Sequence, residues 1–260
     1  ILPERDSSDD SAVRAGILAR HLGIRTETVD IAPALDAIGC YRARDAAVRN
    51  ALPEYGAGWK FKIVIDGGIE GRVNRFRLVA EAPDGSPHER ALALHDYVAA
   101  TNFKQRIRKT LEYFHADRLN YAVVGTPNRL EYDQGFFVKN GDGSADVKPI
   151  AHLYKSQVYA MARHLGLPER VCAAVPTTDT YSLAQGQDEF YFALPYRQMD
   201  LALWSLNHGE PASRLAEALG ITPAQAQAIH DDIANKRRTT RYLHMPPVLA
   251  GEVAELELEH

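Results

Sequence analysis

Residues 119–125 (LNYAVVG) form a short apolar, β-branched run that ends in glycine and follows a segment with helical periodicity. Such a run is typical of a strand buried on both faces of a parallel sheet. Further strand-like runs occur at 25–31 (RTETVDI), 61–65 (FKIVI) and 75–80 (RFRLVA). Because helical patterns alternate with these runs, the sequence predicts an α/β fold with a mainly parallel sheet.

Helical periodicity fills much of the chain between and after the strand-like runs. We therefore expect one domain over residues 1–257, whose opening Ile1-Leu2-Pro3 looks like the end of a buried strand that begins upstream. Residues 258–260 (Leu-Glu-His) are typical of an expression tag and are excluded from the fold prediction. The predicted helices run up to His21, in two short pieces within 33–60, between Glu89 and Ala116, from Leu153 to Gly166, and at about 197–207, 211–219 and 223–240.

Composition and charge argue against several classes of function. The 260 residues carry a net charge of −4, which disfavours a generally basic surface for nucleic acid or membranes. No apolar run approaches the roughly 18 residues that a membrane span needs. Two cysteines, Cys40 and Cys172, cannot form a disulfide framework, so we expect a reducing, cytoplasmic location.

One segment keeps DNA binding open as an alternative. Residues 215–222 followed by 224–233 resemble a helix-turn-helix. Asp231 and Asp232 in its second helix would repel phosphate, and the basic run 236–238 comes only after the helix pair. We therefore expect no nucleic-acid partner.

The densest signal for a functional site follows the predicted strand 119–125. In open parallel sheets, ligands bind at the carboxyl ends of strands. Thr126 is suited to hydrogen-bond a phosphate or a base, and Glu131 to bind Mg²⁺, which takes one or two carboxylates and completes its octahedron with substrate oxygens and water. The alternative interpretation is that Thr126 caps a turn and Glu131 is a solvated surface charge.

Three charged residues further along the chain also suit a nucleotide. Lys139 precedes residues 141–143 (Gly-Asp-Gly), whose glycines permit positive φ or a close approach of backbone to ligand. Asp146 suits ribose hydroxyls or an ammonium group, and Lys155 begins a predicted helix, where free N–H groups favour anions. Taken alone, Gly-Asp-Gly is more simply a turn with Asx bonds, and Lys155 a solvated lysine.

Taken in order, the motifs of residues 102–189 resemble the ammonia-dependent NAD synthetase family, within the N-type ATP pyrophosphatases. Each motif is weak alone, but the ordered set is specific and covers about a third of the chain. The motifs are Asn102-Phe103-Lys104-Gln105-Arg106, then Val124-Gly125-Thr126 with Glu131, then Gly135-Phe136-Phe137 to Asp146, then Pro149-Ile150 with Leu153-Tyr154-Lys155, and finally Pro176-Thr177-Thr178-Asp179 with Gly186-Gln187-Asp188-Glu189.

The resemblance implies a fold and a reaction. The fold is a Rossmann-like open parallel sheet with helices on both faces and a C-terminal helical segment, usually in a homodimer, for which the long helix is a candidate face. The reaction adenylates a carboxylate, deamido-NAD in the family, with ATP and Mg²⁺, and then transfers ammonia to give the amide, AMP and pyrophosphate. No glutaminase nucleophile is visible, so ammonia would come from solution or from a separate glutaminase.

The resemblance also assigns ligands to residues of this chain. The loop 176–189 would act as a lid that orders on binding. The family's glycine-rich SGGxDS loop, which normally supplies a metal-binding aspartate, is absent, and we expect it and the catalytic groups upstream of Ile1. The implied contacts are Thr126, Lys155 and Thr177 with ATP, Glu131 with Mg²⁺, and Arg106, Lys139, Asp146, Arg241 and Tyr242 with the acceptor.

Two departures from the family keep other functions open. Arg241 and Tyr242 occupy the places of a His-Lys pair that touches deamido-NAD in the family, and residues 38–88 are longer than in compact members. One alternative is the same chemistry on a different carboxylate, in specialised or polysaccharide metabolism. The other is a nucleotide-binding homologue without turnover.

Overall fold

The computed structural model describes residues 1–66, 75–177, 181–183, 186, 191–192, 194–251 and 253. The predicted tag, 258–260, lies outside them. The helices within this part of the chain are α1 (Asp9–Leu22), α2 (Ala32–Ala37), α3 (Cys40–Ala51), α4 (Leu94–Leu119), α5 (Arg129–Gln134), α6 (Lys155–His164), α7 (Glu169–Cys172), α8 (Tyr196–Asn207), α9 (Ala212–Leu219) and α10 (Pro223–His244). The strands are β1 (Lys60–Asp66), β2 (Arg75–Glu81) and β3 (Pro87–Ala91).

Local signals fix the ends of several helices. At the start of α1 the Ser8 side chain accepts a hydrogen bond from the Asp10 N–H, and Gly23, with φ of 65°, ends the helix. At the start of α10 the Thr222 hydroxyl accepts from the Gln225 N–H, while the Gln225 side chain accepts from the Thr222 N–H at 2.9 Å. These caps satisfy backbone donors that the helix itself leaves unpaired. The α/β class and the helical C-terminal segment predicted from the sequence are confirmed.

The three strands pair in the order β1-β2-β3, and both pairs are antiparallel. The sequence predicted the first two strands but assigned residues from Glu89 onward to the long helix, and that assignment is wrong. Residues 87–91 instead return along β2 after a tight turn, in which Gly85 has φ of 85°. Because the ladder with β2 satisfies the backbone groups of this segment, α4 begins only at Leu94.

Parallel pairing among the described residues occurs at two places. Residues 1–3 lie alongside 27–31, where the Val29 N–H donates to the Ile1 carbonyl and the Ile31 N–H to the Pro3 carbonyl, both at 3.0 Å. The second place is an isolated parallel bridge between Val124 and Val147. The start of the chain therefore carries the backbone pairing of a parallel strand, although residues 1–3 are only partly buried.

The predicted buried strand over 119–125 is wrong in its extent. Helix α4 continues to Leu119, and Asn120 ends it in the left-handed conformation, with φ of 53°. Only a few residues remain before Thr126, and of these Tyr121 is 71% exposed and Val124 57% exposed. The first residue of the apolar run, Leu119, is thus the last residue of α4. Only the end of the run pairs with another segment, through the bridge between Val124 and Val147.

Buried side chains form separate clusters, two of which flank the candidate site. One joins the three-stranded sheet to α3 and α4 through Phe61, Leu78 and Tyr97. The other joins α8, α9 and α10 to Leu130 of α5. In the described part of the chain, none of the helices combines the length and the apolar composition needed to cross a membrane.

Candidate active site

A cavity of about 570 Å³ lies between these two clusters. It brings together four residues that the sequence predicted, namely Thr126, Glu131, Lys155 and Thr177, which belong to separate segments of the chain. An apolar wall completes it, formed by Phe76, Leu94, Tyr97, Val98, Tyr181 and others. The cavity lining therefore combines charged and hydroxyl groups with apolar and aromatic groups.

Glu131 is positioned by a capping box at the start of α5. Its Oε2 accepts from the backbone N–H of Asn128 at 2.9 Å and from the Asn128 side-chain amide at 2.5 Å. Asn128 in turn accepts from the Leu130 and Glu131 N–H groups. One oxygen of the carboxylate is thereby fixed by the helix start, and its Oε1 lies 3.9 Å from Lys155 Nζ. The interpretation of Glu131 as a solvated surface charge is wrong.

Lys155 reaches the cavity from the first turn of α6. The N–H groups of Lys155 and Ser156 donate to the Asp200 carboxylate at 3.1 and 2.7 Å. Burial acts to raise the pKa of Asp200, and these hydrogen bonds oppose that effect. Because a carboxylate of the protein already occupies the helix N-terminus, a phosphate would meet the Lys155 ammonium rather than these N–H groups.

Asp142 contributes a second carboxylate to the cavity. Its side chain accepts from the Val138 N–H at 2.8 Å, and the residue also lines the cavity. The donor lies four residues before Asp142, whereas the donor of an Asx turn lies two residues after the acceptor. Burial raises its pKa, and the nearby Glu131 charge adds to that effect. A Cβ on Gly143 would come within 2.2 Å of the Phe137 ring, so glycine there allows close packing beneath the cavity.

Lys104 lines the cavity, but its ammonium pairs with two carboxylates near the start of the chain. Its ammonium lies 2.9 Å from Glu4 Oε1 and 2.8 Å from Asp6 Oδ2, and its side chain is only 2% exposed. Burial acts to raise the pKa of Asp6, but Lys104 and Arg44 together hold it below its usual value. This buried cluster ties the start of the chain to α4 and so fixes the wall of the cavity.

The residues predicted to contact the acceptor do not line the cavity, but three of them form a connected group. Arg106 Nε donates to the Lys139 carbonyl at 3.3 Å, and Lys139 Nζ donates to the Tyr242 carbonyl at 2.9 Å. Asp146 lies apart from them, with Oδ2 accepting from the Val123 N–H at 2.7 Å. Arg241 is exposed in the last turn of α10.

The predicted lid, 176–189, lies largely outside the described residues, which in this range are 176–177, 181–183 and 186. Within the described part, Thr177 and Gly186 form an antiparallel bridge. Thr177 lies at the cavity.

The donor set in the cavity suits Mg²⁺ delivered with a nucleotide. No group of three or more His, Cys, Asp or Glu side chains is arranged to hold a metal among the described residues. Glu131 and Asp142 nevertheless line the same cavity. One or two carboxylates, completed by phosphate oxygens and water, are the usual ligands of Mg²⁺ at nucleotide sites.

Comparison with known proteins identifies the family. A family model described as NAD synthase matches residues 81–242, more than half of the chain. The chain belongs to the NAD synthase family. Membership confirms the predicted class of enzyme, a carbon–nitrogen ligase of the NAD synthetase type.

Relatives of known name cover almost the whole chain. It is 54% identical over 260 residues to an NH(3)-dependent NAD(+) synthetase from Rhizobium meliloti (strain 1021), a match that spans 98% of this chain and 78% of that protein. It is 52% identical over 258 residues to a protein of the same name from Mesorhizobium japonicum, spanning 98% of this chain and 81% of that one.

Solved structures share the fold. An NMN synthetase from Francisella tularensis matches with a TM-score of 0.63 and 19% identity, over 97% of this chain and 77% of that one. An NH3-dependent NAD synthetase from Campylobacter jejuni, in complex with the nitrate ion, matches with a TM-score of 0.56 and 20% identity, over 95% and 75%. These likenesses confirm the predicted α/β fold of this NAD synthase family member.

Sequence reasoning missed part of the NAD synthase site. It treated Asp142 as part of a turn, although the flanking glycines already indicated close packing there. It did not foresee the wall formed by Phe76, Tyr97 and Tyr181. Phe76 lies outside residues 81–242, so family motifs gave no signal for it.

Proposed function

We propose that this chain is an ammonia-dependent NAD synthetase, which adenylates deamido-NAD with ATP and Mg²⁺ and then amidates it with ammonia. The observation that carries the proposal is the meeting of Thr126, Glu131, Lys155 and Thr177 in one cavity of about 570 Å³. The names of the relatives that are 54% and 52% identical to this chain support the same activity.

The first step makes the carboxylate reactive. An acceptor carboxylate oxygen attacks the α-phosphorus of ATP, the bond from that phosphorus to pyrophosphate breaks, and an acyl-adenylate forms. Negative charge spreads over the phosphate oxygens as this happens. The Lys155 ammonium and the hydroxyls of Thr126 and Thr177 supply charge and hydrogen-bond donors for those oxygens.

The second step forms the amide. The ammonia nitrogen attacks the acyl carbon, the bond from that carbon to the AMP oxygen breaks, and the nitrogen loses a proton as the amide and AMP form. Water would compete with ammonia for the acyl carbon. The apolar side chains of Phe76, Leu94 and Tyr97 limit the space for water in the cavity.

Mg²⁺ supplies neutralisation of phosphate charge when it is bound with ATP. Glu131 and Asp142 would hold it, since both carboxylates line the cavity. Because burial raises the pKa of Asp142, a bound cation would also stabilise the ionised form of that group.

The acceptor would lie along the connected group of Arg106, Lys139 and Tyr242, with Asp146 and Arg241 as further contacts. Two cations in this group match the phosphates of a dinucleotide. Lys139 is held by the carbonyls of Tyr242 and Met245, so the end of α10 sets its position. This support is local geometry, together with the family resemblance.

A homodimer through α4 belongs to the same proposal. Three of its aromatic and aliphatic side chains, Phe103, Phe114 and Leu119, are 37%, 56% and 46% exposed. Exposed apolar groups on one helix favour contact with another surface. Light scattering coupled to size exclusion measures the mass directly, and a monomer at working concentration would contradict this part.

The experiment supplies the full-length protein with ATP, Mg²⁺, ammonium and deamido-NAD, and measures pyrophosphate and NAD. Formation of both is expected, with ammonium but not glutamine as the nitrogen donor. Parallel reactions replace deamido-NAD with nicotinate mononucleotide or with unrelated carboxylates. Pyrophosphate release with only one of those other acceptors would contradict deamido-NAD as the substrate. ATP binding without turnover of any acceptor would contradict the proposal that the chain is an enzyme.

A further inference from the structure

Strand β1 lies at one edge of the three-stranded sheet, because the strand order is β1-β2-β3. An edge strand presents N–H and C=O groups that no other strand of its sheet satisfies. At Phe61 those groups pair with a distant segment. The Phe61 N–H donates to Ser182 Oγ at 2.8 Å, and the Phe61 carbonyl accepts from the Leu183 N–H at 3.2 Å.

The Tyr181 ring is held by the same part of the molecule. It stacks on Tyr97, with ring centroids 5.9 Å apart and planes 9° from parallel. It also meets the Phe61 ring edge-on at 6.2 Å, and Phe61 meets Tyr97 edge-on at 5.8 Å. Three mutually contacting rings therefore join the sheet, α4 and segment 181–183, in arrangements that aromatic pairs favour.

This segment lies beside a residue of the candidate site. Tyr181 lines the cavity, as does Thr177, which bridges to Gly186 on the far side of the segment in the chain. Because Thr177 and its bridge partner Gly186 flank segment 181–183 in the chain, the contacts that fix this segment also limit the position of Thr177. Residues 60–80, which carry β1 and nearly all of β2, lie outside the part of the chain that matches the NAD synthase model.

We propose that the antiparallel sheet of β1, β2 and β3 is a platform that holds segment 181–183 against the cavity, with Tyr181 as the positioning residue for ATP binding. The hydrogen bonds at Phe61 fix the position of the segment beside β1, and the stacking on Tyr97 fixes the orientation of the Tyr181 ring. A nucleotide that contacts Thr177 then lies near a segment, 181–183, that is already held in place. The loss of conformational entropy on ATP binding is smaller when the segment is held in place before ATP binds.

The kinetic part of the test rests on the proposed function, because it reads amide synthesis. Tyr181→Ala should raise the KM for ATP about threefold to tenfold, the size of effect that an aromatic pair contributes, with kcat at saturating ATP changed less than about twofold. Tyr181→Phe, which keeps the ring, should behave like the wild type. Ser182→Ala should shift the KM in the same direction, and Ser213→Ala, at an exposed position on α9, serves as its control.

Hydrogen exchange gives a readout that needs no activity. In Tyr181→Ala the Leu183 amide should exchange faster than in the wild type, while amides of β2 keep their protection. Equal KM values for wild type and Tyr181→Ala, or a fall in kcat alone, would overturn the proposal. Unchanged exchange at Leu183 would overturn it as well. A wild-type protein that makes no NAD would instead contradict the proposed function, and the exchange comparison would still decide on the platform.

Discussion

Lys155 Nζ lies 3.9 Å from Glu131 Oε1, so a cation at the start of α6 faces an anion at the start of α5. The Asn128 capping box fixes the start of α5, and the Asp200 carboxylate fixes the start of α6. The Arg129 N–H donates to the Leu153 carbonyl at 2.8 Å and joins the two helix starts. The two charges are therefore held facing the same part of the cavity. A magnesium–phosphate group would meet both, with Lys155 on a phosphate oxygen and Glu131 on the cation.

Glu131→Gln should lower kcat/KM for ATP by about tenfold to a hundredfold, the range expected when one contact to a charged group, of about 1.5–3 kcal/mol, is lost. The fold should survive, because glutamine also serves as the third residue of a capping box. This chain already uses Gln225 that way in α10. Steady-state kinetics over a range of Mg²⁺ concentration make the measurement.

The control for this variant is Glu217→Gln, an exposed carboxylate on α9. It should leave both kinetics and melting temperature unchanged. If Glu131→Gln kept full activity at every Mg²⁺ concentration, Glu131 would not belong to the metal site.

Part of the polar lining of the cavity was predictable from the sequence for a physical reason. Thr126 and Glu131 follow directly on a parallel pairing, and the edge of such a pairing is where an α/β fold gathers ligand groups. Asp200 was not predictable, because it reaches α6 from a helix far along the chain. The sequence did not predict strand β3, because its pairing with β2 overrides a local helical pattern.

Asp142 should give the protein a distinct pH dependence. Burial raises its pKa above the usual 3.8, so the folded protein holds this proton at pH values where the unfolded chain has released it. The contribution of Asp142 to the free energy of unfolding therefore falls as the pH rises from its pKa in the unfolded chain to its pKa in the folded protein. Asp142→Asn removes this pH dependence, so the melting temperature of the variant relative to wild type should rise as the pH is increased from the usual carboxyl pKa of 3.8 towards the raised pKa of Asp142.

Thermal melts without nucleotide or metal measure this effect, with Asp36→Asn, at an exposed position, as the control. The asparagine oxygen can still accept from the Val138 N–H, so this hydrogen bond is kept. A melting-temperature difference that stays constant over this range would contradict the raised pKa of Asp142.

Gly135 should tolerate no side chain. It ends α5 with φ of 73°, and a Cβ would lie 2.3 Å from Thr240 Cβ on α10. Gly135→Ala should cost about 1–2 kcal/mol for the left-handed backbone and about 1–3 kcal/mol more for overpacking. Gly166→Ala, where φ is 69° and no atom lies within 4 Å, carries only the first cost. Chemical denaturation of both variants measures the difference, and equal losses would show that α10 can move away from the cavity.

Arg106 tests the separation between the cavity and the acceptor group. Its guanidinium is exposed and donates to the Lys139 carbonyl, and it does not line the cavity. Arg106→Ala should therefore raise the KM for deamido-NAD about tenfold or more, the effect of losing a charged contact, and leave the KM for ATP nearly unchanged. Arg118→Ala, another exposed arginine on α4, is the control because its partners are His115 and Glu27. An equal rise in both KM values would mean that Arg106 acts on the nucleotide, and an unchanged KM for deamido-NAD would remove it from the acceptor site.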